Sequence, residues 1–411
     1  MKYDSSSEQW LLSFLHREVG FENYQGVLER GLQRLKGTFA DFINWAREVK
    51  VITIAGTNGK GETALYCGDL LQKMRISYAL WQSPHVLSIT ERVIINGAAL
   101  SYQQWKEGIV KQKKQLDHTP LSYYEFLFYF FLSEAQKAKV DVLVLEVGLG
   151  GRLDAVNLLD ADVSAITSIG RDHQEFLGQT YREILAEKIA ITRTHHFLFT
   201  FWQLDYLKEL TKKWQDKISF YWENLDEDAA SYQQRNWLLA RAIVGKLYPQ
   251  VDQLEFAPRI QRGRAEQMHF AGHRWVFVGA HNLQGLQQLF CGHMINKISC
   301  DSMLISFSRR SSKDVLHMLK LIRNYLKRKK SFHCSLVGFD HWKSFPLDEL
   351  KLLYSEVSDQ QWSFFESYKD YLSSKRGSSS ESILVCGSYY FIGQMQSYFY
   401  ESVGDDFKGT V

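Results

Sequence analysis

The stretch that most constrains the fold is 51–63, which reads VITIAGTNGKGET. Its first four residues form a β-branched run, which is typical of a strand buried on both faces of a parallel sheet. A glycine-rich loop follows, and the residues from Thr63 onward predict a helix. A strand, a glycine-rich loop and a helix N-terminus bind anions, because backbone N–H groups point at phosphate oxygens and the helix dipole favours negative charge. The stretch therefore predicts a nucleotide-phosphate site.

Lys60 adds a flexible positive charge for the β- and γ-phosphates, and the loop's glycines let the backbone approach them closely. The usual phosphate loop ends Gly-Lys-Ser/Thr, but here a glycine is inserted and Glu62 stands where the hydroxyl is expected. A carboxylate there would repel a triphosphate unless Mg²⁺ intervenes. Two alternatives stay open, that Thr63 supplies the hydroxyl or that Glu62 points away, and an ordinary glycine turn is the competing interpretation. The predicted nucleotide contacts are Gly56, Thr57, Asn58, Gly59, Lys60, Gly61, Glu62 and Thr63.

Length and composition narrow the class of protein. A chain of 411 residues is too long for one core and predicts two domains, or three. A net charge of +3 indicates neither a nucleic-acid nor a membrane partner. The five cysteines are scattered without metal-binding spacing and are expected to be core thiols. The N-terminus has no apolar signal segment, and the most apolar run, 126–132, is too short to span a membrane, so we expect a soluble, cytoplasmic protein.

The pattern along the chain predicts alternating helices and strands. Helices are predicted at 8–48, 102–117, 122–138, 182–192 and 233–247, and strands at 78–81, 90–97, 141–146, 162–169, 197–201 and 218–221. After a polar hinge at 258–264 the pattern restarts, with strands at 275–278, 303–307, 335–339 and 383–385 and a flexible serine-rich loop at 373–380. The predicted fold is α/β. A P-loop Rossmann-like ATPase domain with a mostly parallel sheet and a helical preface spans 1–260, and a smaller Rossmann-like α/β domain spans 261–411.

Three chemically active residues follow buried strands near the phosphate loop. They are Ser83, Glu146 and His173. A hydroxyl, a carboxylate and an imidazole at strand ends suit a hard cation such as Mg²⁺ that bridges ATP oxygens. Each has a plainer interpretation. Ser83 is also compatible with a turn or helix cap, Glu146 with a pair to Arg152, and His173 with a loop or capping residue.

Several motifs together resemble a known family, dihydrofolate synthase/folylpolyglutamate synthase, a branch of the Mur ligase superfamily. The resemblance rests on segments in the family's order along nearly the whole chain, and the segments 146–154 and 178–188 separate this branch from the cell-wall ligases. The matching segments are 56–61, 83–85, 91–92, 146–155, 167–170 with 172–173, 175–178, 187–188, 263–266, 279–282 and 386–388.

The resemblance implies ATP-dependent amide formation. In that reaction the carboxylate of dihydropteroate, or of a reduced folate, attacks the γ-phosphate of ATP to give an acyl phosphate and ADP, and the amine of L-glutamate then displaces phosphate. Phosphate is a good leaving group and carboxylate oxygen a poor one, and the charge on the transferring phosphoryl is stabilised by Lys60 and Mg²⁺. A monomer acting on small molecules is expected.

The resemblance also assigns roles to individual residues. Ser83, Glu146 and His173 match the ligands of two magnesium ions, and Lys188 matches a lysine that family members carbamylate, although a solvated helix lysine is the plainer interpretation. Lys60, His173 and Lys188 form the expected catalytic set. Further matches to ATP contacts are Asn236, Arg264, His281 and Asn282.

Departures from the family pattern keep two rival interpretations open. Where the family has Asp-Gly-Ala-His-Asn-Pro, this chain has Val278 and Leu283 in place of the aspartate and the proline. Together with Glu62, these changes leave room for a nucleotide-binding relative with impaired catalysis. A cell-wall amino-acid ligase is the second rival. It would need a UDP-binding N-terminal region, whereas residues 1–50 predict a helical preface.

Overall fold

The structure of the chain is a computed structural model that describes residues 31–116, 119–225, 231–255, 257, 264–291, 298–329 and 331–403. The chain divides into two compact units, Met1–Pro258 and Arg259–Val411. Residues 8–30 of the helix predicted at 8–48, and residues 258–263 of the hinge predicted at 258–264, lie outside the described residues. The roles predicted for domains 1–260 and 261–411 stay predictions.

The first unit is built on an eight-stranded sheet in the order β4-β3-β2-β5-β1-β6-β7-β8. Six strands run parallel, and an antiparallel hairpin with an Asn96-Gly97 turn forms one edge. Ile54 pairs in register with both Glu146 and Ala165, so the carboxyl ends of the three central strands lie level. The strands are β1 (Lys50–Ala55), β2 (Tyr78–Trp81), β3 (Val93–Ile95), β4 (Ala98–Ala99), β5 (Val142–Glu146), β6 (Val163–Ile166), β7 (Phe197–Thr200) and β8 (Tyr221–Asn224).

Helices cover both faces of this sheet. Along β1, Val51 and Ala55 face one core and Ile52 and Ile54 face the other, as the two-residue period of a strand requires. Both faces are buried, which explains the continuous apolar run. The helices are α1 (Ala40–Trp45), α2 (Lys60–Lys73), α3 (Tyr102–Leu116), α4 (Tyr123–Lys137), α5 (Gln174–Leu177), α6 (Tyr181–Ile189), α7 (Asp205–Ile218) and α8 (Tyr232–Leu247), with 3₁₀ turns at Leu32–Leu35, Ile89–Arg92, Ala155–Leu158 and Pro249–Gln253.

The second unit holds a six-stranded sheet in the order β13-β12-β11-β14-β10-β9, parallel except for the β9–β10 hairpin. The α/β class and the mostly parallel arrangement are therefore confirmed. The strands are β9 (Arg264–Phe270), β10 (His273–Val278), β11 (Ser302–Ile305), β12 (His333–Val337), β13 (Trp362–Phe365) and β14 (Ser382–Cys386). The helices are α9 (Leu283–Cys291), α10 (Ser312–Leu326), α11 (Leu347–Val357), α12 (Tyr368–Ser374) and α13 (Tyr389–Val403).

Several predicted boundaries are wrong, and each has a local cause. The helix predicted from Thr63 begins at Lys60, because Gly59 takes a left-handed conformation (φ 93°) and turns the chain directly into it. The strand predicted at 218–221 begins at Tyr221, since Ser219 (φ 58°) ends α7 just before it. The serine-rich segment at 373–380 begins inside α12 rather than in a loop.

Three edge strands, a helix and one helix break were missed. The strands β4, β9 and β13 were not predicted, since β4 has two residues, β9 is rich in polar residues and β13 has four residues. The helix α7 was also not predicted. The described part of the helix predicted at 8–48 is a 3₁₀ turn followed by α1 rather than one continuous helix. Among the described residues, no helix is both long enough and apolar enough to cross a membrane.

Candidate active site

The phosphate loop connects β1 to α2 and is closely packed. At Gly56 (φ 149°), an added Cβ would lie 1.9 Å from the Thr167 hydroxyl oxygen, so only glycine fits. At Gly59, an added Cβ would lie 2.7 Å from the Tyr232 hydroxyl and 2.8 Å from Asn236 Oδ1. The backbone of the loop is therefore enclosed by the segment after β6 and by the start of α8.

The segment after β6 fixes the loop by hydrogen bonds. The Thr57 hydroxyl accepts from the Gly170 amide (2.9 Å) and donates to the Gly170 carbonyl (3.2 Å). The Asn58 amide donates to Ser168 Oγ (2.9 Å), while the Thr167 and Ser168 hydroxyls donate to the Asn58 carbonyl (2.7 and 3.0 Å). These polar residues hold the loop in one shape, a role that was not predicted for segment 167–170 when it was matched to the family.

Two lysines converge on the carbonyl oxygen of Gly56. Lys60 Nζ donates to it at 3.0 Å and also to the Thr57 carbonyl at 3.3 Å. Lys188 Nζ, on α6, donates to the same Gly56 oxygen at 3.1 Å. The structure thus brings together two of the three predicted catalytic residues, although they are 128 positions apart in the sequence (188 − 60).

Lys188 is buried, with 3% of its surface exposed. Burial, and secondarily the charge of Lys60, lowers the pKa of the Lys188 ammonium from 10.5 to about 7, while Asp172, Asp154 and Glu187 act in the opposite direction. A substantial fraction of Lys188 is therefore a neutral amine near neutral pH. The interpretation of Lys188 as a solvated helix lysine is excluded by its burial.

Glu62 lies in the first turn of α2 and is 2% exposed. Its Oε2 accepts a hydrogen bond of 2.5 Å from Asn236 Nδ2 of α8, whose residue is 3% exposed. The neighbouring Thr63 hydroxyl is fully buried and has no hydrogen-bond partner. The carboxylate therefore faces Asn236, and the hydroxyl at the next position is left unsatisfied.

Ser83 and Glu146 meet at the ends of β2 and β5. The Ser83 amide donates to Glu146 Oε2 at 3.0 Å, while Ser83 Oγ is buried without a hydrogen-bond partner. Arg152 does not pair with Glu146, because its guanidinium binds Glu187 instead, with an Nη2–Oε1 distance of 2.9 Å. The pairing of Glu146 with Arg152 is therefore wrong.

His173 lies three residues beyond Gly170. It takes the N-cap position of the one-turn helix α5 with φ 49°, and its side chain is exposed. Across the part of the chain that the structure describes, no three His, Cys, Asp or Glu side chains cluster as a metal site. The set Ser83, Glu146 and His173 stays a prediction, and the structure brings the first two together.

Asp154 is a buried carboxylate whose role the sequence did not reveal. It accepts hydrogen bonds from the amides of Gly148 (2.8 Å), Leu149 (3.0 Å) and Val156 (3.1 Å) and from the Tyr124 hydroxyl (3.0 Å). Burial raises the pKa of Asp154, while these hydrogen bonds favour its ionised form. It shapes the glycine-rich segment that follows Glu146. The repeated glycines before an aspartate were the available signal.

The second unit carries the remaining predicted residues. Asn282 Oδ1 accepts from the Gly285 amide (2.8 Å) at the start of α9, and His281 Nδ1 lies 2.8 Å from the Gly279 carbonyl. Val278 is buried at the end of β10, where the family has an aspartate. Arg264 begins β9, and its side chain lies outside the described part of the structure. Their predicted contacts with a nucleotide stay predictions.

The residues present fit a divalent cation at the phosphate loop. The Ser83 and Thr63 hydroxyl oxygens are buried without partners, and Glu146 lies beside Ser83. Mg²⁺ is held in proteins by one or two carboxylates together with substrate phosphates, so a cluster of three acidic side chains is not required. Uncommitted oxygens beside a phosphate loop are the donors that such an ion prefers.

Comparison with known proteins gives matches to part of the chain. The Mur ligase middle domain model matches residues 54–238. The dihydrofolate synthase/folylpolyglutamate synthase of Bacillus subtilis is 34% identical over 189 residues, which cover 44% of this chain and 43% of that protein. The Escherichia coli protein of the same name is 38% identical over 144 residues, 35% of this chain and 34% of that protein. These matches span less than half of each relative's length.

Solved structures resemble the chain over most of its length. Mycobacterium tuberculosis folylpolyglutamate synthase complexed with ADP and AMPPCP superposes with a TM-score of 0.77 at 21% identity, over 96% of this chain and 99% of that one. Escherichia coli FolC in complex with DHPP and ADP gives 0.72 at 22% identity, over 91% and 94%. At these identities the likeness shows the fold.

Residues 54–238, which include the phosphate loop, are similar to the Mur ligase middle domain. The relatives that match at 34% identity and above are both dihydrofolate synthase/folylpolyglutamate synthases. Part of the chain is thus similar to the dihydrofolate synthase/folylpolyglutamate synthases, the family that the sequence motifs resemble.

Proposed function

We propose that the chain is an ATP-dependent ligase that joins L-glutamate to dihydropteroate and also extends folylpolyglutamate. The observation that carries this proposal is the convergence of Lys60 and Lys188 on the Gly56 carbonyl, at a loop whose neighbours Ser83 and Glu146 offer oxygen ligands. Relatives support it by name. One solved relative holds DHPP and ADP, and another holds Mn, AMPPNP and L-glutamate.

The reaction passes through an acyl phosphate. The acceptor carboxylate attacks the γ-phosphorus, the bond to the β–γ bridging oxygen breaks, and ADP leaves. The amine of L-glutamate then attacks the acyl carbon, loses a proton, and expels inorganic phosphate. Formation of the acyl phosphate, a mixed anhydride, is needed because an amine does not displace oxide from a free carboxylate at neutral pH, whereas phosphate is a good leaving group.

The chain's own residues stabilise and position the phosphoryl group. The N-terminus of α2 directs N–H groups at the phosphates, and Lys60 leaves its loop carbonyls to balance the charge that develops on the transferring group. Thr57 and Asn58 stay fixed by the segment after β6, so little reorganisation accompanies binding. A bound divalent cation, held by Ser83, Glu146 and His173, would supply further charge neutralisation to the phosphate oxygens.

Lys188 is proposed as a site of carbamylation. Carbamylation joins the neutral amine to CO₂ with loss of one proton, and the lowered pKa of about 7 provides that amine. The product is a buried carboxylate that would sit close to Lys60. Incubation with ¹³C-bicarbonate should give a carbamate carbon signal that is absent from Lys188→Met, and equal signals in both proteins would contradict the proposal.

The proposal includes two predicted magnesium sites, a monomeric state and a cytoplasmic location. It also keeps Asn236, Arg264, His281 and Asn282 as predicted ATP contacts.

Gel filtration with light scattering tests whether the chain is a monomer. Titration with Mn²⁺ in the presence of ATP counts the cation sites. Two bound ions for each chain are expected, and a single ion would reduce the proposal to one site.

The decisive experiment measures phosphate release by the purified chain with ATP, Mg²⁺ and L-glutamate. We expect release only when dihydropteroate or a reduced folate is added. Release with a UDP-linked cell-wall precursor instead would favour the cell-wall ligase. A chain that binds ATP but releases no phosphate with any acceptor would be the impaired relative that Glu62 and Val278 leave open.

A further inference from the structure

Glu62 is a fixed buried charge in the phosphate loop. It is 2% exposed and its Oε2 is held by Asn236, a residue that is itself 3% exposed. The side-chain amide nitrogen of Asn236 donates this hydrogen bond, and the Glu62 carboxylate accepts it. Because both partners are enclosed, the carboxylate cannot turn into solvent when an anion reaches the loop.

The two lysines near the loop already donate hydrogen bonds to its backbone carbonyls. Lys60 is directed at the Gly56 and Thr57 carbonyls, and Lys188 shares the Gly56 oxygen with a pKa lowered to about 7. A triphosphate without a cation would therefore bind at the N-terminus of a helix whose first turn carries a buried carboxylate. Like charges at short distance in a partly dehydrated site repel strongly.

A divalent cation resolves this conflict. Carboxylate oxygens are ligands that Mg²⁺ and Mn²⁺ prefer, and phosphate oxygens complete their coordination. The Thr63 hydroxyl is buried and unpartnered in the same first turn of α2, so a second oxygen donor lies beside Glu62 along the chain. Compared with a hydroxyl at this position, a carboxylate also offers oxygen atoms that a divalent cation can bind, with one negative charge more.

We propose that Glu62 makes nucleotide binding by this loop dependent on a divalent cation, by giving a carboxylate oxygen to the cation that accompanies the triphosphate. The inference rests on the proposed function, because the loop must bind ATP. It concerns a residue in which this chain departs from the pattern of the family it resembles.

The test is the equilibrium affinity of the full chain for ATP, measured by calorimetry with excess EDTA and with Mg²⁺. Glu62→Gln keeps an oxygen that accepts from Asn236 and removes the charge. We expect the variant to bind cation-free ATP at least about tenfold more tightly than the wild type, which corresponds to about 1.4 kcal/mol. The gain in affinity on adding Mg²⁺ should shrink by a similar factor. Glu134→Gln removes a carboxylate from α4 of the same unit and should behave like the wild type.

The outcomes separate the two proposals. If the wild type fails to bind ATP even with Mg²⁺, the proposed function fails. If it binds but the wild type and Glu62→Gln gain equally from Mg²⁺, the inference about Glu62 is overturned and the function stands. Glu62→Ser, which restores the family's hydroxyl, serves if the glutamine variant does not fold.

A second measurement uses the wild type alone. Fe²⁺ bound with ATP in place of Mg²⁺ reacts with added hydrogen peroxide to give Fe³⁺, hydroxide and hydroxyl radicals, and ascorbate returns the iron to Fe²⁺. The radicals cleave the backbone next to the ligands of the iron, and mass spectrometry locates the cuts. Cleavage beside residue 62 supports the proposal. Cleavage confined to other segments, with none in the first turn of α2, overturns it.

Discussion

Lys60 and Lys188 bring two ammonium groups to one backbone oxygen, an arrangement that is unfavourable unless one of them gives up its proton. Lys188 is the one that does so more readily, because it is buried and its pKa is lowered. Lys60 is less enclosed and keeps the role of a mobile cation that can turn toward phosphate. The two lysines therefore have different chemistry at a shared contact.

Replacing Lys60 should reduce catalysis strongly. Lys60→Ala removes the charge that balances the transferring phosphoryl group, so we expect turnover to fall at least about 100-fold in the phosphate-release assay. Lys73→Ala, at the exposed far end of the same helix, should leave turnover unchanged. A rate for Lys60→Ala within about threefold of the wild type would remove Lys60 from the mechanism.

His173 has a natural control in the chain. His173 and His195 are both exposed and both have positive φ (49° and 61°), so replacing either changes the backbone preference in the same way. We expect His173→Ala to lower turnover at least about 100-fold and His195→Ala to leave it unchanged. Equal effects of the two substitutions would show that the loop backbone, rather than the imidazole of His173, matters.

Lys188 should also leave a signature in the pH dependence of stability. Its pKa is about 7 in the folded chain and 10.5 in the unfolded chain, so between these values the unfolded state binds more protons. The free energy of unfolding therefore rises with pH in this window, and the destabilisation by Lys188 is greatest below pH 7. In CO₂-depleted buffer, urea unfolding at pH 6 and pH 9 should show a larger increase for the wild type than for Lys188→Met. Identical increases would contradict the assigned pKa.

At the level of elements, the phosphate loop shows what the sequence could predict. Both bounds of β2 were predicted correctly, and those of β1 to within one residue at each end. A β-branched or apolar run bounded by polar residues is compatible with few secondary structures other than a buried strand. The start of α2 was missed by three residues, since the left-handed turn at Gly59 is imposed by packing against Tyr232 and Asn236. Contacts made by distant residues cannot be derived from local pattern.

The same distinction holds within the candidate site. The phosphate- and cation-binding roles of Lys60, Ser83 and Glu146 could be predicted from their positions after buried strands. That Glu62 faces Asn236, and that Asp154 gathers four donors, depends on how α8 and the segment after β5 fold back. Pairings over such sequence separations appear only in three dimensions.

The close packing of the loop makes Gly56 a sensitive position. Gly56→Ala would place a Cβ 1.9 Å from Thr167 Oγ1 at a φ of 149°, so we expect the free energy of unfolding to fall by about 3 kcal/mol in urea denaturation. Gly37→Ala is the matched control, because no atom lies within 4 Å of its added Cβ. Equal stability of the two variants would contradict the packing described around the loop.

At the level of the whole molecule, ligand binding and folding are linked. A ligand that binds only the folded chain stabilises it, by about 2.7 kcal/mol when present at 100 times its Kd. We therefore expect Mg²⁺ with ATP to raise the unfolding temperature of the wild type. At the same nucleotide concentration Lys60→Ala should show a smaller rise, and an equal rise would mean that Lys60 does not contribute to binding.

The oxygen on which both lysines converge belongs to the main chain. Substitution can alter every side chain from Thr57 to Thr63, yet it cannot delete the carbonyl of Gly56. The most central acceptor of the loop is thus inherited with the backbone itself. A substitution at Glu62 therefore changes the charge of the loop without removing the acceptor that both lysine side chains share.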